Sequence, residues 1–429
     1  MCSCNSRIFH CWPEWDGLNT LEIDEKRRYE EVVFMSLTRE IKPGIFWVGA
    51  IDWDRRLFDA LIPLPEGTSY NSYLVLGSER TALIDAVDET KIEVLLDNLR
   101  SLRIENIDYI IAQHAEQDHS GGLKKLLEAF PSARVLGSPK CLDLLVQFDL
   151  VSKDRVQEVK DGEKIALGNR SLQFIHAPWV HWPDTIFTYL AEDRILFTCD
   201  FLGSHLATSD LFAVDEPAVY RSAKRYYAEI MMPFRSSINR HLTRIREMAI
   251  DIIAPSHGPL YDRPEFILDA YAEWASDRVK NQVVLAYVSM HGSTRIMADH
   301  LVDALISRGV EVKRFDLTSY DVGELAESLV DAATVIIGTP TILAGAHPLA
   351  LYAAILANAL RPKTRYASII GSFGWGGKML EQITEALPNL KLQFFDPVVA
   401  RGRPKEADLR SLDRLADEIA AMHRNTGII

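Results

Sequence analysis

Four side chains able to bind metal fall within six residues of Gln113-His114-Ala115-Glu116-Gln117-Asp118-His119-Ser120-Gly121-Gly122: His114, Glu116, Asp118 and His119. Imidazole offers a neutral nitrogen ligand, and a carboxylate offers negative charge and can bridge two cations. On an extended segment the side chains at 114 and 116 share a face. The chain must then turn, which Gly121 and Gly122 permit at close range. Asp118 and His119 are expected to point back from the start of a helix over 123–130, whose positive end would lie near Asp118. Three further groups stand at strand ends or in loops: His181 in Ala177-Pro178-Trp179-Val180-His181-Trp182-Pro183-Asp184, Asp200 after an apolar run at 195–199, and His257 in Ala254-Pro255-Ser256-His257-Gly258-Pro259. A single histidine beside a strand is usually a hydrogen-bonded structural residue. Seven such groups at strand exits favour a metal centre.

A second set of residues suits an anion and a flat ring. An apolar strand at 283–288 runs into Ser289-Met290-His291-Gly292-Ser293-Thr294 and then a helix. Hydroxyls and backbone N–H groups at a helix N-terminus attract phosphate. No lysine follows as in a Walker A loop and no G-x-G-x-x-G is present, which argues against nucleoside triphosphates and NAD in this loop. Two more loops leave strand ends, where doubly wound sheets bind ligands. One contains Pro340, Thr341, Ile342, Leu343, Ala344 and Gly345; the other Ser372, Phe373, Gly374, Trp375, Gly376 and Gly377. Trp375 either stacks on a ring or belongs to a core. The three loops together point to FMN.

The elements that must carry these groups change in style along the chain. Up to about residue 277, short strands mix with helices. A hairpin is predicted from 72–76 and 81–85, a helix over 91–102 with Ile92, Leu95, Leu96 and Leu99 on one face, and a buried strand at 107–112 leading into His114. That pattern suits an αββα sandwich. After Ala275-Ser276-Asp277 come near-continuous apolar strands at 283–288, 334–337 and 366–370, with amphipathic helices at 295–308 and 407–423. Alternation of this kind makes a parallel sheet covered on both faces. The expected division is a leader over 1–38, a metal-binding domain over 39–277 and a ligand-binding domain over 281–429.

Composition narrows the functions. The chain has 47 basic and 60 acidic residues among 429, a net charge of −13, which argues against a nucleic-acid partner. No apolar run reaches the roughly 18 residues of a membrane span, and the start lacks the pattern of a signal peptide, so a cytoplasmic setting is expected. The five cysteines are an odd number, unlike a disulfide framework. Cys2, Cys4, His10 and Cys11 form either a metal or redox site or a reduced arm.

The run H-x-E-x-D-H, then H-W-P-D, a strand-ending Asp and P-S-H-G, together with the three loops, resembles the flavodiiron proteins over about residues 40–429. The hydrolase branch of the same metallo-β-lactamase superfamily reads H-x-H-x-D-H and binds zinc. Glu116 in place of the second histidine adds a hard, charged donor, which favours iron. The resemblance implies an N-terminal metallo-β-lactamase-like domain and a C-terminal flavodoxin-like domain. It implies one iron on His114, Glu116 and His181, a second on Asp118, His119 and His257, and Asp200 as the bridge. The implied activity is reduction of dioxygen to water and/or of nitric oxide to nitrous oxide, in a head-to-tail homodimer or dimer of dimers. Without a rubredoxin-like pair of C-x-x-C motifs after the flavin domain, electrons would come from a separate donor such as rubredoxin, a flavin reductase or a reduced deazaflavin. His205, Tyr226 and Tyr227 are candidates for groups assisting catalysis or for packing. Two positions depart from the family pattern: Asp59 stands where relatives often carry His after Phe, and Leu343-Ala344 where Asn is common. The same residues admit a binuclear zinc metallohydrolase with a fused flavodoxin domain, which Glu116 opposes, or a non-enzymatic flavin carrier or sensor, which the full ligand set opposes.

Overall fold

The computed structural model describes residues 37–428. Cys2, Cys4, His10 and Cys11 lie outside them. Two sheets face each other in the first part of the chain. One has the spatial order Arg39–Lys42, Ile45–Trp47, Tyr73–Leu76, Thr81–Ile84, Tyr109–Ile111, Arg134–Gly137, Val156–Glu158. The other runs Lys164–Ala166, Ser171–His176, Ile186–Leu190, Ile195–Cys199, Ile252–Pro255. Their inner faces share a core that includes Trp47, Val75, Ile84, Phe174, Leu190 and Phe197. Helices cover both outer faces through separate apolar clusters, which gives the αββα sandwich expected from the sequence. The hairpin forms in register, with Tyr73 opposite Ile84 and Leu76 opposite Thr81. The helix expected over 91–102 spans Ile92–Ser101 and buries Ile92, Leu95, Leu96 and Leu99.

Strand direction is what gathers the ligands. Thr81–Ile84 and Tyr109–Ile111 are parallel neighbours in one sheet, and Ile195–Cys199 and Ile252–Pro255 are parallel neighbours in the other. Each pair therefore delivers its following residues to one end. The two ends are laced together, since Ile186 N–H donates to Gln113 O at 2.9 Å and Ser256 Oγ to Asp85 Oδ2 at 3.1 Å. Asp118 and His119 are not at the start of the helix over 123–129, as the sequence suggested. They sit in a separate short helix, Gln117–Ser120, closed by Ser120 Oγ donating to the carbonyls of Ala115 and Glu116.

The second part of the chain is a parallel sheet in the order Glu311–Asp316, Lys280–Tyr287, Ala332–Ile342, Tyr366–Phe373, with Gln393–Phe394 and Val398–Arg401 both on the last of these. Numbered along the chain this is 2-1-3-4-5, the order of flavodoxin-like sheets. Apolar clusters fill both faces. No helix among the described residues is long and apolar enough to cross a membrane.

Candidate metal centre and flavin cleft

The seven residues selected as ligands converge at the end of the sandwich. Asp200 stands in the middle, 2% exposed. Its Oδ2 is 3.8 Å from His114 Nε2 and 3.6 Å from His181 Nε2, and Glu116 Oε2 is 3.1 Å from each of these nitrogens. Its Oδ1 is 3.1 Å from His119 Nε2 and 3.3 Å from His257 Nε2. Asp118 completes this second side, with Oδ1 3.3 Å from His119 Nε2 and Oδ2 3.1 Å from His257 Nε2. Two three-residue sets thus share one carboxylate.

The donor atoms fit cations better than they fit one another. Both oxygens of Asp118 and Nε2 of His119 are buried without a hydrogen-bond partner, although they approach to within 3.3 Å. They stand close but are not aligned as donor and acceptor, so they converge on a common point. Three carboxylates in a buried site also demand compensating charge. Burial works against protonating the histidines, yet the carboxylates beside them outweigh it. Asp118 and Asp200 push His257 up to about 10, and Asp200 and Glu116 push His181 up to about 9. A third group, Asp85, His119 and Cys199, also lies within ligand range. Its chemistry differs: Asp85 is engaged by Gln113 N–H at 2.9 Å, Gln113 Nε2 at 2.9 Å and Ser256 Oγ at 3.1 Å, and burial keeps Cys199 a thiol.

Backbone and side chains outside the ligand set hold the imidazoles. Asp184 Oδ2 accepts from His114 Nδ1 at 3.1 Å and from Ala115 N–H at 2.9 Å. His257 Nδ1 donates to Ser69 O at 2.7 Å. Both rings therefore present Nε2 inward. Tyr226 Oη donates to Asp200 Oδ1 at 2.9 Å, and it ends the helix Glu216–Tyr226 just before a π-helical turn at Tyr227–Met231. His205 bonds Thr68 through Nδ1 at 2.9 Å, and its ring lies 5.0 Å from that of His257. Burial first, then His257, keeps His205 neutral, and its Nε2 has no partner. Tyr227 is a correction. Adjacent helical residues point about 100° apart, so while Tyr226 faces Asp200, Tyr227 packs against Tyr271 and Trp274.

In the parallel sheet, a cleft opens between the loops. Ser289, Met290, His291, Ser293, Thr294, Pro340, Thr341, Ser372, Phe373 and Gly374 line it. Gly292, at φ 85°, ends the first loop and lets the helix Ser293–Ile306 begin without a side-chain cap. Ser289 Oγ accepts from Arg295 N–H at 3.1 Å, and the hydroxyls of Thr294 and Ser372 are 3.2 Å apart. Gly377 is required where it stands: a Cβ there would come within 2.5 Å of Thr341. Ile342, Leu343, Ala344, Gly345, Trp375, Gly376 and Gly377 do not line the cleft itself. Trp375 is 79% exposed and Leu343 93%, so Trp375 belongs to no core.

Residues 68–258 match the profile described as ODP family beta lactamase, and residues 285–412 match Flavodoxin. The chain is 37% identical to a nitric oxide reductase of Moorella thermoacetica, over 90% of this chain and 99% of that protein. It is 33% identical to a flavo-diiron protein of Clostridium acetobutylicum, over 89% and 98%. The chain belongs to the flavodiiron protein family. Among solved structures, this flavodiiron protein superposes on the rubredoxin oxygen:oxidoreductase of Desulfovibrio gigas with a TM-score of 0.87 at 30% identity, covering 90% of this chain and 99% of that one.

Sequence reasoning about this flavodiiron protein missed Asp184, Asp85 and Gly402. Asp184 was visible in H-W-P-D, three residues after His181. Asp85 was visible only as a strand-ending acid, and Gly402 carried no signal before it was found to line the flavin cleft. Asp59 lies where burial first, then the charges of Glu116 and Asp118, push its carboxyl up, while His181 and Arg55 oppose this. It therefore sits within the field of the metal side chains.

Partners of ligating histidines tune metal affinity by orienting the ring and raising its basicity. Asp184→Ala is expected to weaken metal binding about 10–100-fold. Chelator competition on the loaded protein measures this; an unchanged affinity would remove Asp184 from that role.

Proposed function

We propose that this chain is an oxygen and/or nitric oxide reductase whose di-iron centre is fed by FMN. The observation that carries the reading is Asp200, whose two oxygens face two separate trios of nitrogen and carboxylate donors. His114, Glu116 and His181 would hold one iron and Asp118, His119 and His257 the other, with Asp200 between them. Residues of the 289–294, 340–345 and 372–377 loops would hold FMN, its phosphate at the start of the helix Ser293–Ile306. The assignment of 39–277 to the metal half and 281–429 to the flavin half belongs to the same reading. When bound, the iron pair and the flavin supply the electrons for reduction.

The chain's own side chains do the rest. Asp184 and the Ser69 carbonyl fix which ring nitrogen of His114 and His257 faces the centre. Tyr226 Oη holds a proton against Asp200 Oδ1. His205, neutral and with Nε2 unpartnered, adds a polar atom without adding charge. His114, His119 and His257 are fully enclosed, whereas the His181 side chain is 14% exposed and Glu116 10%. A small gas would enter on that side.

Exposed apolar side chains support a head-to-tail pair of chains. Leu343 and Trp375 stand out beside the flavin cleft. Trp53, Leu57 and Leu61 stand out on the 53–63 segment, whose Phe58 packs 5.2 Å from the His205 ring. A second copy would cover both patches and set a flavin of one chain toward the metals of the other. Electrons would reach the flavin from a separate donor such as rubredoxin, a flavin reductase or a reduced deazaflavin, in a cytoplasmic setting.

Protein produced with iron available is expected to contain two irons and one FMN per chain. Mixed anaerobically in the reduced state with dioxygen or nitric oxide in a stopped-flow instrument, it is expected to be reoxidised by at least one gas. Zinc alone in the centre, or no reaction with either gas, ends the proposal.

A further inference from the structure

A cleft of about 470 Å³ lies at the opposite end of the parallel sheet from the flavin loops. Residues 361–365 lead into the amino end of Tyr366–Phe373, whereas the flavin loops leave the carboxyl ends. A strand of 8 residues separates the two by about 25 Å. Every charged side chain lining this cleft is a cation: Arg235, Arg361, Lys363, Arg365 and Lys391. That is a local reversal in a chain of net charge −13. Among the described residues Arg361 and Lys391 form no ion pair. Arg235 pairs with Asp277 at 3.2 Å, a carboxylate almost fully exposed, Arg365 donates to the Asp277 carbonyl at 2.9 Å, and Lys363 lies 3.5 Å from Asp331 while donating to the carbonyls of Glu273 and Trp274.

Two buried groups make this more than a basic surface. Thr364 is 6% exposed and lines the cleft, and its Oγ1 has no hydrogen-bond partner. The Lys363 side chain is 3% exposed. Burial lowers the Lys363 pKa against the pull of Asp331, with a smaller push from Arg235. Arg235 is also the first residue of the helix Arg235–Arg246, whose opening turn has no side-chain cap. Cations crowded at a positive helix end are relieved by an anion, and an unpartnered buried hydroxyl is relieved by an acceptor or donor.

We propose that this cleft binds a polyphosphate group, either pyrophosphate itself or the phosphate tail of a nucleotide. Several cations spread over a space within the ~300–1,000 Å³ of small-molecule sites suit linked phosphates better than a single small ion. Arginine forks match phosphate oxygens in pairs. The occupant would touch Arg235 on the helix that flanks the sandwich and Arg361, Thr364, Arg365 and Lys391 on the flavodoxin-like part. It would therefore clamp the two parts together, away from metals and flavin.

The test uses protein loaded with iron and FMN, so that the flavin phosphate site is filled. Calorimetry with pyrophosphate, ATP and orthophosphate, at low and at physiological ionic strength, is expected to give one saturable site per chain for a polyphosphate. Orthophosphate should bind at least about tenfold more weakly. ATP tighter than pyrophosphate assigns the site to a nucleotide, and equal affinities assign it to the phosphates alone. The double variant Arg361→Glu, Lys391→Glu should weaken binding at least about tenfold through reversed charge, while gas reduction stays unchanged. Thr364→Val should weaken it less. No saturable polyphosphate binding, or binding that the double variant retains, overturns the proposal.

Discussion

Replacing Asp200 by Ala is expected to empty both halves of the metal centre while leaving the flavin in place. Asp200 is the one side chain common to the two ligand sets, with Oδ2 toward His114 and His181 and Oδ1 toward His119 and His257. Its removal takes one of three buried carboxylates from the centre, and with it much of the charge that attracts two cations. It also strands the Tyr226 hydroxyl, which donates to Oδ1. Losing a hydrogen-bond partner of a ligand already costs about 10–100-fold, so losing a shared ligand should lower gas reduction by more than ~100-fold. Iron per chain, measured by plasma emission, should fall well below that of the unaltered protein. The yellow chromophore should remain, because no flavin-loop residue touches Asp200, and its retention separates metal loss from unfolding. A variant that keeps its iron and reacts within about twofold of the unaltered rate would mean that Asp200 does not bridge.

What the sequence made legible was what is local. His114, Glu116, Asp118 and His119 lie within six residues, and their types alone announce metal chemistry. The apolar strands of the parallel sheet are continuous because both faces are buried, so their order along the chain reads directly as a doubly wound fold. What stayed hidden depends on contacts distant in sequence. Asp184 reaches His114 across 70 residues and Asp85 reaches Ser256 across 171. Neither pairing follows from spacing. Tyr226 and Tyr227 could not be told apart, because their difference is the phase of a helix whose packing face sits on distant residues. The short helix at Asp118 was hidden for a related reason: Ser120 caps it back onto Ala115 and Glu116, a local bond that helix periodicity does not register. The cations of the polyphosphate cleft come from three separate segments, and only the fold assembles them.

Asp331 offers a second large effect, on stability. Its side chain is 3% exposed and receives three lysines: Lys224 at 2.9 Å, Lys280 at 3.0 Å and Lys363 at 3.5 Å. Lys224 belongs to the helix Glu216–Tyr226 that flanks the sandwich, Lys280 begins the first strand of the parallel sheet, and Lys363 precedes Tyr366–Phe373. One carboxylate therefore joins the two parts of the chain. Burial raises its pKa, but Lys224 and Lys280 outweigh burial and hold it below the ordinary aspartate value. A depressed pKa in the folded state means stability that is present above the unfolded value of about 4 and lost as pH falls through the folded value. Asp331→Ala should thus be most damaging near neutral pH, and the gap to the unaltered protein should close in acid. Removing one partner of a buried pair costs about 3–5 kcal/mol. Lys280 is half exposed and adds little, so the lower end applies, about 3 kcal/mol, or roughly 3–4 °C in Tm for a chain of this length. The cost arises from Lys224 and Lys363, both left charged and largely buried, although Lys363 keeps the carbonyls of Glu273 and Trp274 at 3.2 and 3.3 Å. The double variant Asp331→Ala, Lys363→Met should then recover part of the loss, because it removes one of the two buried charges and keeps the apolar stem. If melting followed by flavin fluorescence finds the double variant no more stable than the single one, the Lys363 charge is not a source of the loss, and Lys224 and Lys280 alone carry the charge joint between the two parts.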